Sequence, residues 1–357
     1  MPVTHRAAGG GLLDHVRALA TNASRFGNDV TVVARASTFL TELRDAGLST
    51  IVCDFDDPES LAEFERRPFE WDLIHAHPFS SRAFGVRLAR LHGRPLVVTI
   101  HGWYDDHIER WYDDASAVIA ISPAISDLLR ARVSGPGEKI ITIPNGIKVA
   151  VDRSDDTLTL SPPFQLSVAS RLDADFIRVK GLISEFIRAA QEHDDVRWHI
   201  AIAGDGTHRR EFESELSALT TEHRGPSVSF MGWMDSDRLG ELYQRSFAVV
   251  APGRSAVDAM ASGVPTVMTR QFAVHSMLGA ESPLGQFHGA STPFLHGRHL
   301  YDQVRALAED PLRWRELSDR LKRATRLLYD DEHWQQVTNA VYEYASIATL
   351  LSGGRRA

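Results

Sequence analysis

Along most of the chain, short apolar runs alternate with longer stretches whose apolar positions recur every three or four residues. The first kind fits buried strands and the second fits amphipathic helices. Leu12, Leu13, Val16, Leu19, Ala20 and Ala23 fall on one helical face, and a strand follows at residues 30–34. Further strands are expected at residues 73–76, 96–100, 117–121 and 139–143, with a helix over 80–91. Ser122-Pro123 supplies a cap serine and a proline at the first helical position, so a helix follows there. A polar stretch at residues 148–163, with Asp152, Ser154, Asp155, Asp156 and a Pro162-Pro163 pair, is the best linker. The alternation then restarts, with strands at 165–169, 198–203 and 228–231 and helices beginning near Gly181, His208 and Ser236. Residues 331–351 carry one last helical pattern.

This order predicts α/β units around parallel sheets. The domains are expected at residues 1–150 and 164–330, with residues 331–357 as a closing helical segment. About eight residues, poor in apolar side chains, precede Gly9-Gly10-Gly11. Either the opening strand is short and atypical, or the start is trimmed.

Composition narrows the class. At 357 residues, two domains can each bury a core. A hydrophobic content of 43% and a charged content of 24% suit a soluble globular protein. The net charge of -8 argues against a general nucleic-acid binder. Cys53 is the only cysteine, which excludes an internal disulfide and a cysteine metal cluster. No apolar run reaches the ~18 residues of a membrane span. The start has no apolar core of the kind a secretion signal needs, so a cytoplasmic location is the expectation.

Residues 249–268 are the most informative segment. An apolar run ends at Pro252-Gly253, and a short helix is expected from near Ser255 to Gly263. A second apolar run follows at 264–268. Strand, glycine turn and helix start, with Asp258 expected inside the first turn, form a build that holds a nucleotide's sugar and phosphates. Ser255-x-x-Asp258 also reads as a capping box, in which the acid serves only the helix's own start. Gly253, Arg254 and Ser255 are candidates for contact with a diphosphate or sugar.

Other stations carry related chemistry. Gly9-Gly10-Gly11 precedes a helix, where bare glycine amides can approach a phosphate. Arg171 and Lys180 flank a strand-to-helix loop and could supply the positive charge a diphosphate needs. Gly204-Asp205-Gly206 and Gly232 close two later strands; their glycines let the backbone pass near a base or phosphate, although as plain turns they need no ligand. His101 ends a strand before Gly102, a position that points into the ligand crevice of an open sheet. His75 and His77 are expected to point to opposite faces, with His77 toward the crevice. Trp103, Tyr104, Trp111 and Tyr112 could stack on a flat acceptor, although core packing explains some of them. Arg82, Arg87, Arg90 and Arg94 fit a solvated helix face more simply than a surface for anionic lipid or phosphate. No His or carboxylate spacing suggests a metal site.

In this order the stations resemble those of the retaining glycosyltransferases of family four. The resemblance rests on Gly-Gly, His75-x-His77, His101-Gly102, Pro144-Asn-Gly-Ile147, Ser170-Arg-Leu…Lys180-Gly181, Gly204-Asp-Gly206 and Asp258-Ala-Met-Ala-Ser-Gly263. It implies the GT-B fold: two Rossmann-like domains facing a cleft, with the C-terminal helix crossing back to the N-terminal domain. It also implies a nucleotide-diphosphate sugar donor held by Gly10, Gly11, Arg171, Lys180, Gly204, Gly206, Gly232, Gly253, Arg254, Ser255 and Asp258. His101, Arg171 and Lys180 take the catalytic roles, and His77, Trp103 and Tyr104 the acceptor side. The acceptor is a small molecule, a lipid-linked species or a glycan. No cofactor or metal is implied, and membrane contact is possible but not indicated.

The family's donor signature opens with an acid eight positions before the second one. That position is Val250, so the first acid is absent. A non-catalytic nucleotide-sugar-binding relative or partner subunit is therefore the alternative. A dehydrogenase is disfavoured, because no strand leads into Gly-x-Gly-x-x-Gly with an acid about twenty residues on.

Overall fold

The computed structural model describes residues 1–3, 11–147, 160–173, 177–193, 196–220, 225–270, 273–275 and 296–353. Gly9, Gly10 and most of the polar linker lie outside the described residues. Two compact units are present: Met1–Gly146 with Asp331–Ala357, and Ile147–Asp330.

In the first unit the elements are β1 (Pro2–Val3), α1 (Gly11–Arg25), β2 (Thr31–Ala34), α2 (Thr38–Asp45), β3 (Ser49–Val52), α3 (Pro58–Glu65), β4 (Ile74–Ala76), α4 (Ser80–His92), β5 (Leu96–Ile100), β6 (Ala117–Ala120), α5 (Pro123–Arg130) and β7 (Ile140–Thr142). The strands form parallel sheets of order β1-β2-β3 and β4-β5-β6-β7. They meet where the His77 N–H donates to the Pro2 carbonyl at 3.3 Å. The opening strand is thus two residues long, with Val3 fully buried.

Alternation along each strand splits the apolar side chains between two layers. Val98 and Ile100 of β5 pack with Phe84 and Trp111, whereas Val97 packs on the other side with Val16 and Leu40. Ser122 caps α5 as its sequence indicates, its hydroxyl accepting from the Ile125 N–H at 3.3 Å.

The second unit contains β8 (Phe164–Ala169), α6 (Ile177–Gln191), β9 (Trp198–Ala203), α7 (Arg209–Leu219), β10 (Ser227–Gly232), α8 (Ser236–Arg245), β11 (Ala248–Pro252), α9 (Gly253–Ala261), β12 (Thr266–Arg270), β13 (Ala273–His275), α10 (Gly297–Glu309) and α11 (Pro311–Tyr329). Its sheet runs β10-β9-β8-β11-β12-β13, parallel except for β13. Strand order reverses between β8 and β11, and the carboxyl ends at such a reversal form the ligand-binding edge of a doubly wound sheet.

The last helix, α12 (Asp331–Gly353), belongs to the first unit. It places Val341, Tyr342 and Ala345 in that unit's core beside Val97 and Ile119. Among the described residues, no helix is long and apolar enough to cross a membrane.

Candidate functional site

In the first unit, histidines gather at the carboxyl ends of β4 and β5. Nδ1 of His77 lies 2.8 Å from Nε2 of His101, and the rings stack with centroids 5.0 Å apart. His75 stacks on His77 at 4.9 Å, so the two histidines share one side of the strand. This corrects the expectation that they face opposite ways: residues i and i+2 of a strand project to the same face. His75 is closed off from further bonding. Its Nδ1 lies 2.7 Å from the Tyr342 hydroxyl and its Nε2 2.7 Å from the Thr99 hydroxyl. His77 and His101 instead keep Nε2 and Nδ1, respectively, buried and without a hydrogen-bond partner.

His15 from α1 completes the group, its ring edge-on to His101 at 4.9 Å. Burial holds His75, His77 and His101 well below the usual histidine range, and the neighbouring imidazoles add to this. All three are neutral near pH 7, so each ring offers one N–H and one lone pair. Among the described residues, no group of three or more His, Cys, Asp or Glu is placed to hold a metal ion.

Beyond His101 the chain doubles back. A Cβ at Gly102 would lie 2.6 Å from the Tyr104 ring, so glycine is what lets that ring fold over the strand end. The Tyr104 hydroxyl accepts from the His101 N–H at 3.3 Å. Trp103 stays about half exposed. The arginines on and just after α4 do not form a free cationic face. Arg82 binds the buried Asp106, Arg87 binds Glu65, Arg90 binds Asp114, and Arg94 lies near Asp72.

In the second unit, three loops are laced together at the carboxyl ends of β8, β9 and β10. The Leu172 N–H donates to Asp205 O (2.9 Å), the His208 N–H to Leu172 O (2.8 Å), and the Gly204 N–H to Gly232 O (2.7 Å). A Cβ at Gly204 would fall 1.9 Å from Ser170 O, and one at Gly206 would fall 2.4 Å from Leu172 C. Glycine is thus required there by loop-on-loop packing alone. The lacing presents Arg171 outward, 79% exposed, with Asp173 4.0 Å from its guanidinium.

Lys180 is differently placed. Its ammonium lies 2.6 Å from Glu211 and 2.8 Å from Glu215, which bind it to α7 and raise its pKa. Residue 180 also sits inside α6, which starts at Ile177 rather than near Gly181.

The donor-signature segment departs from expectation as well. β11 runs directly into α9, which begins at Gly253 with Pro252 as its cap residue and no side-chain cap bond. Asp258 therefore lies in the second turn, so neither the capping box nor the first-turn acid is realised. The helix starts earlier because no residues separate it from the strand. Asp258 lies 3.8 Å from Arg254 Nε, while Arg254 Nη1 is buried and without a hydrogen-bond partner. Val250 is fully buried in the middle of β11, between Val168 and Val267. An acid there would point into the core, so the spacing of the family's two acids has no counterpart in this short connection.

Sequence reasoning missed Tyr342, His15, Glu211 and Glu215, because each meets its partner across a tertiary contact. Arg82 likewise gives no sequence signal of its buried partner Asp106, 24 residues away.

Comparisons with known proteins agree with this architecture. The family model Glycosyltransferase Family 4 matches residues 9–151, and Glycosyl transferases group 1 matches residues 164–286. The chain is 27% identical over 322 residues to a D-inositol 3-phosphate glycosyltransferase of Arthrobacter sp. (strain FB24), covering 73% of this chain and 74% of that protein. It is 25% identical over 231 residues to the uncharacterized glycosyltransferase MJ1607 of Methanocaldococcus jannaschii, covering 56% of this chain and 58% of that protein. Among solved structures, Anabaena Alr3699/HepE in complex with UDP and glucose superimposes with a TM-score of 0.72 at 19% identity, covering 96% of this chain and 98% of that one. Sucrose-phosphate synthase from Thermosynechococcus elongatus gives 0.70 at 19% identity, covering 95% and 94%. By its two family matches and its pair of Rossmann-like units, the chain belongs to the GT-B glycosyltransferases of family four, group 1.

Proposed function

We propose that this protein transfers a sugar from a nucleotide-diphosphate sugar to an acceptor hydroxyl, with retention at the anomeric carbon. The observation that carries the reading is the strand reversal between β8 and β11 in the second unit. There the Arg171 loop, the Gly204–Gly206 turn, Gly232 and the start of α9 meet at one sheet edge. The first-turn backbone amides of α9, which no side chain caps, together with Arg171 and Arg254 suit a diphosphate. Asp258 and the glycine turns are assigned to the ribose and base. HepE has been crystallised with UDP-glucose, which makes a uridine nucleotide the first donor to test.

The acceptor is assigned to the first unit, beside His77, His101, Trp103 and Tyr104. In the transfer, the acceptor oxygen bonds to the anomeric carbon as the bond from that carbon to the diphosphate oxygen breaks. The acceptor proton passes to an oxygen of the departing diphosphate. Positive charge and amides at the leaving group then do most of the catalytic work, and the reaction is assigned no metal or cofactor. His101 is assigned a hydrogen bond to the transferred sugar or reacting oxygen through Nδ1.

A thermal-shift panel of UDP, GDP, ADP and dTDP and their sugars, without added metal, tests the reading. One nucleotide at ~100 times its Kd should stabilise the protein by about 2.7 kcal/mol. Silence across the panel would sink it. Burial of Val250 in β11 favours one rival, a nucleotide-sugar binder without turnover. Donor stabilisation with no transfer to a broad acceptor set would establish that rival, and NMR of the product's anomeric proton would test retention.

A further inference from the structure

Phe79 stands two residues after His77 in an unusual backbone state. Its φ is 69° and its ψ is -127°, the conformation of the first central residue of a type II′ turn, where glycine is the usual occupant. An aromatic residue held there is strained. The surroundings impose the strain. The Phe79 N–H donates to Asp106 Oδ2 at 3.1 Å, and Arg82 grips the same carboxylate at 2.8 and 3.0 Å. Asp106, itself at φ 48°, is tied further by the Trp111 indole N–H, which donates to its carbonyl at 2.9 Å.

All this fixes a ring that the fold does not bury. Phe79 is 54% exposed. One side of the ring rests against Tyr104, with centroids 5.1 Å apart. Trp103, 48% exposed, belongs to the same loop as Tyr104. The rim nearby is polar: Ser80, the next residue, donates to Asp56 at the surface. A flat apolar face bordered by hydrogen-bonding groups matches a pyranose ring, which has a C–H face and a hydroxyl edge. It does not match an acyl chain, which would strip water from Ser80 and Asp56 and offer no hydrogen bond in return.

Resting on the reading that the first unit holds the acceptor, we propose that Phe79 is an acceptor-stacking residue and that the acceptor is a pyranoside. The Arg82–Asp106 pair holds the ring in its strained, outward position.

Saturation-transfer NMR tests this with methyl α-glucopyranoside, methyl α-mannopyranoside and methyl α-galactopyranoside in the presence of UDP. Glycerol 3-phosphate serves as the ringless control. At least one pyranoside should show saturation of its C–H face with the unmodified protein. Phe79→Gly should weaken that binding by about tenfold, the scale of one aromatic contact, while Phe79→Trp retains it. Because glycine suits φ 69°, the thermal midpoint of Phe79→Gly should equal or exceed that of the parent, so the loss is not unfolding. Equal binding by Phe79→Gly, no pyranoside signal from the parent, or binding of glycerol 3-phosphate alone would each overturn the proposal. UDP stabilisation measured on the same samples separates the two failures. A missing UDP response sinks the donor reading, whereas UDP binding without a Phe79-dependent pyranoside signal sinks only this inference.

Discussion

His77 and His101 share one hydrogen bond, Nδ1 to Nε2 at 2.8 Å, so the protonation of either ring fixes that of the other. The pair leaves His77 Nε2 and His101 Nδ1 buried and without a hydrogen-bond partner. His101→Ala is expected to lower kcat by about 10²-fold, the usual scale for losing a positioned imidazole. His77→Asn places an amide where Nδ1 stood and should retain more turnover than His77→Leu. Equal losses in the two His77 variants would argue against an orienting role.

The same burial makes stability depend on pH. Burial holds the folded pKa values of His75, His77 and His101 well below the ordinary histidine value of about 6.5. Between those folded values and 6.5, the unfolded chain binds more protons than the folded one. Stability is therefore fully present above about pH 6.5 and is lost as pH falls, by about 1.4 kcal/mol per pH unit for each such histidine. Urea midpoints measured from pH 7.5 to 5.5, above the carboxylate range, should fall. His77→Leu should reduce the slope by one histidine's share; a flat profile in the parent would contradict the buried neutral cluster.

Two arginines of α4 make contrasting ion pairs. Asp106 is only 3% exposed beside Arg82, so Arg82→Met leaves a buried carboxylate unpaired and should cost about 3–5 kcal/mol. Arg87 is 61% exposed beside Glu65, and Arg87→Met should cost no more than about 1 kcal/mol. Chemical denaturation of both variants checks the contrast, and similar losses would refute it.

Glycines offer a second contrast, within the second unit. Gly204→Ala would drive a Cβ to 1.9 Å from Ser170 O at φ 142°, so the Arg171 loop must move. Gly240, inside α8, has nothing within 4 Å of an added Cβ. Gly240→Ala should stabilise by about 0.5–1 kcal/mol, whereas Gly204→Ala should lower the melting temperature and weaken nucleotide binding. A thermal scan with and without UDP reads both effects.

The donor-side cations are expected to rank. Among the described residues, Arg171 has Asp173 near it at 4.0 Å, while Lys180 already lies on two glutamates. Arg171→Ala should lower turnover by about 10²- to 10³-fold, the scale of a lost electrostatic contact to the leaving group. Lys180→Met should lower it less. The reverse order in steady-state kinetics would make Lys180, freed from Glu211 and Glu215 by the donor, the principal contact.

Much of this architecture was legible because apolar periodicity reports burial directly. The strands at residues 96–100 and 198–203 and the capped helix after Ser122 fall where the pattern places them. The start of α9 did not, since Pro252-Gly253 reads as a turn, and only the direct passage of β11 into the helix removes the loop. His75 and His77 lie on one face, because side chains two apart along a strand project the same way. The Lys180 pairing was not legible, because Glu211 and Glu215 come from the next helix.

What the sequence determined by itself was local: alternating strand and helix, two α/β units and a string of glycines, histidines and cations in family order. Those follow from periodicity and from residue chemistry within a few positions. Only the tertiary structure joined His75 to Tyr342 across 267 residues, buried Val250 between two neighbouring strands, and locked Phe79 through Asp106. Such contacts depend on which strand ends lie side by side and how loops cross them. Side-chain spacing along one chain carries no record of that.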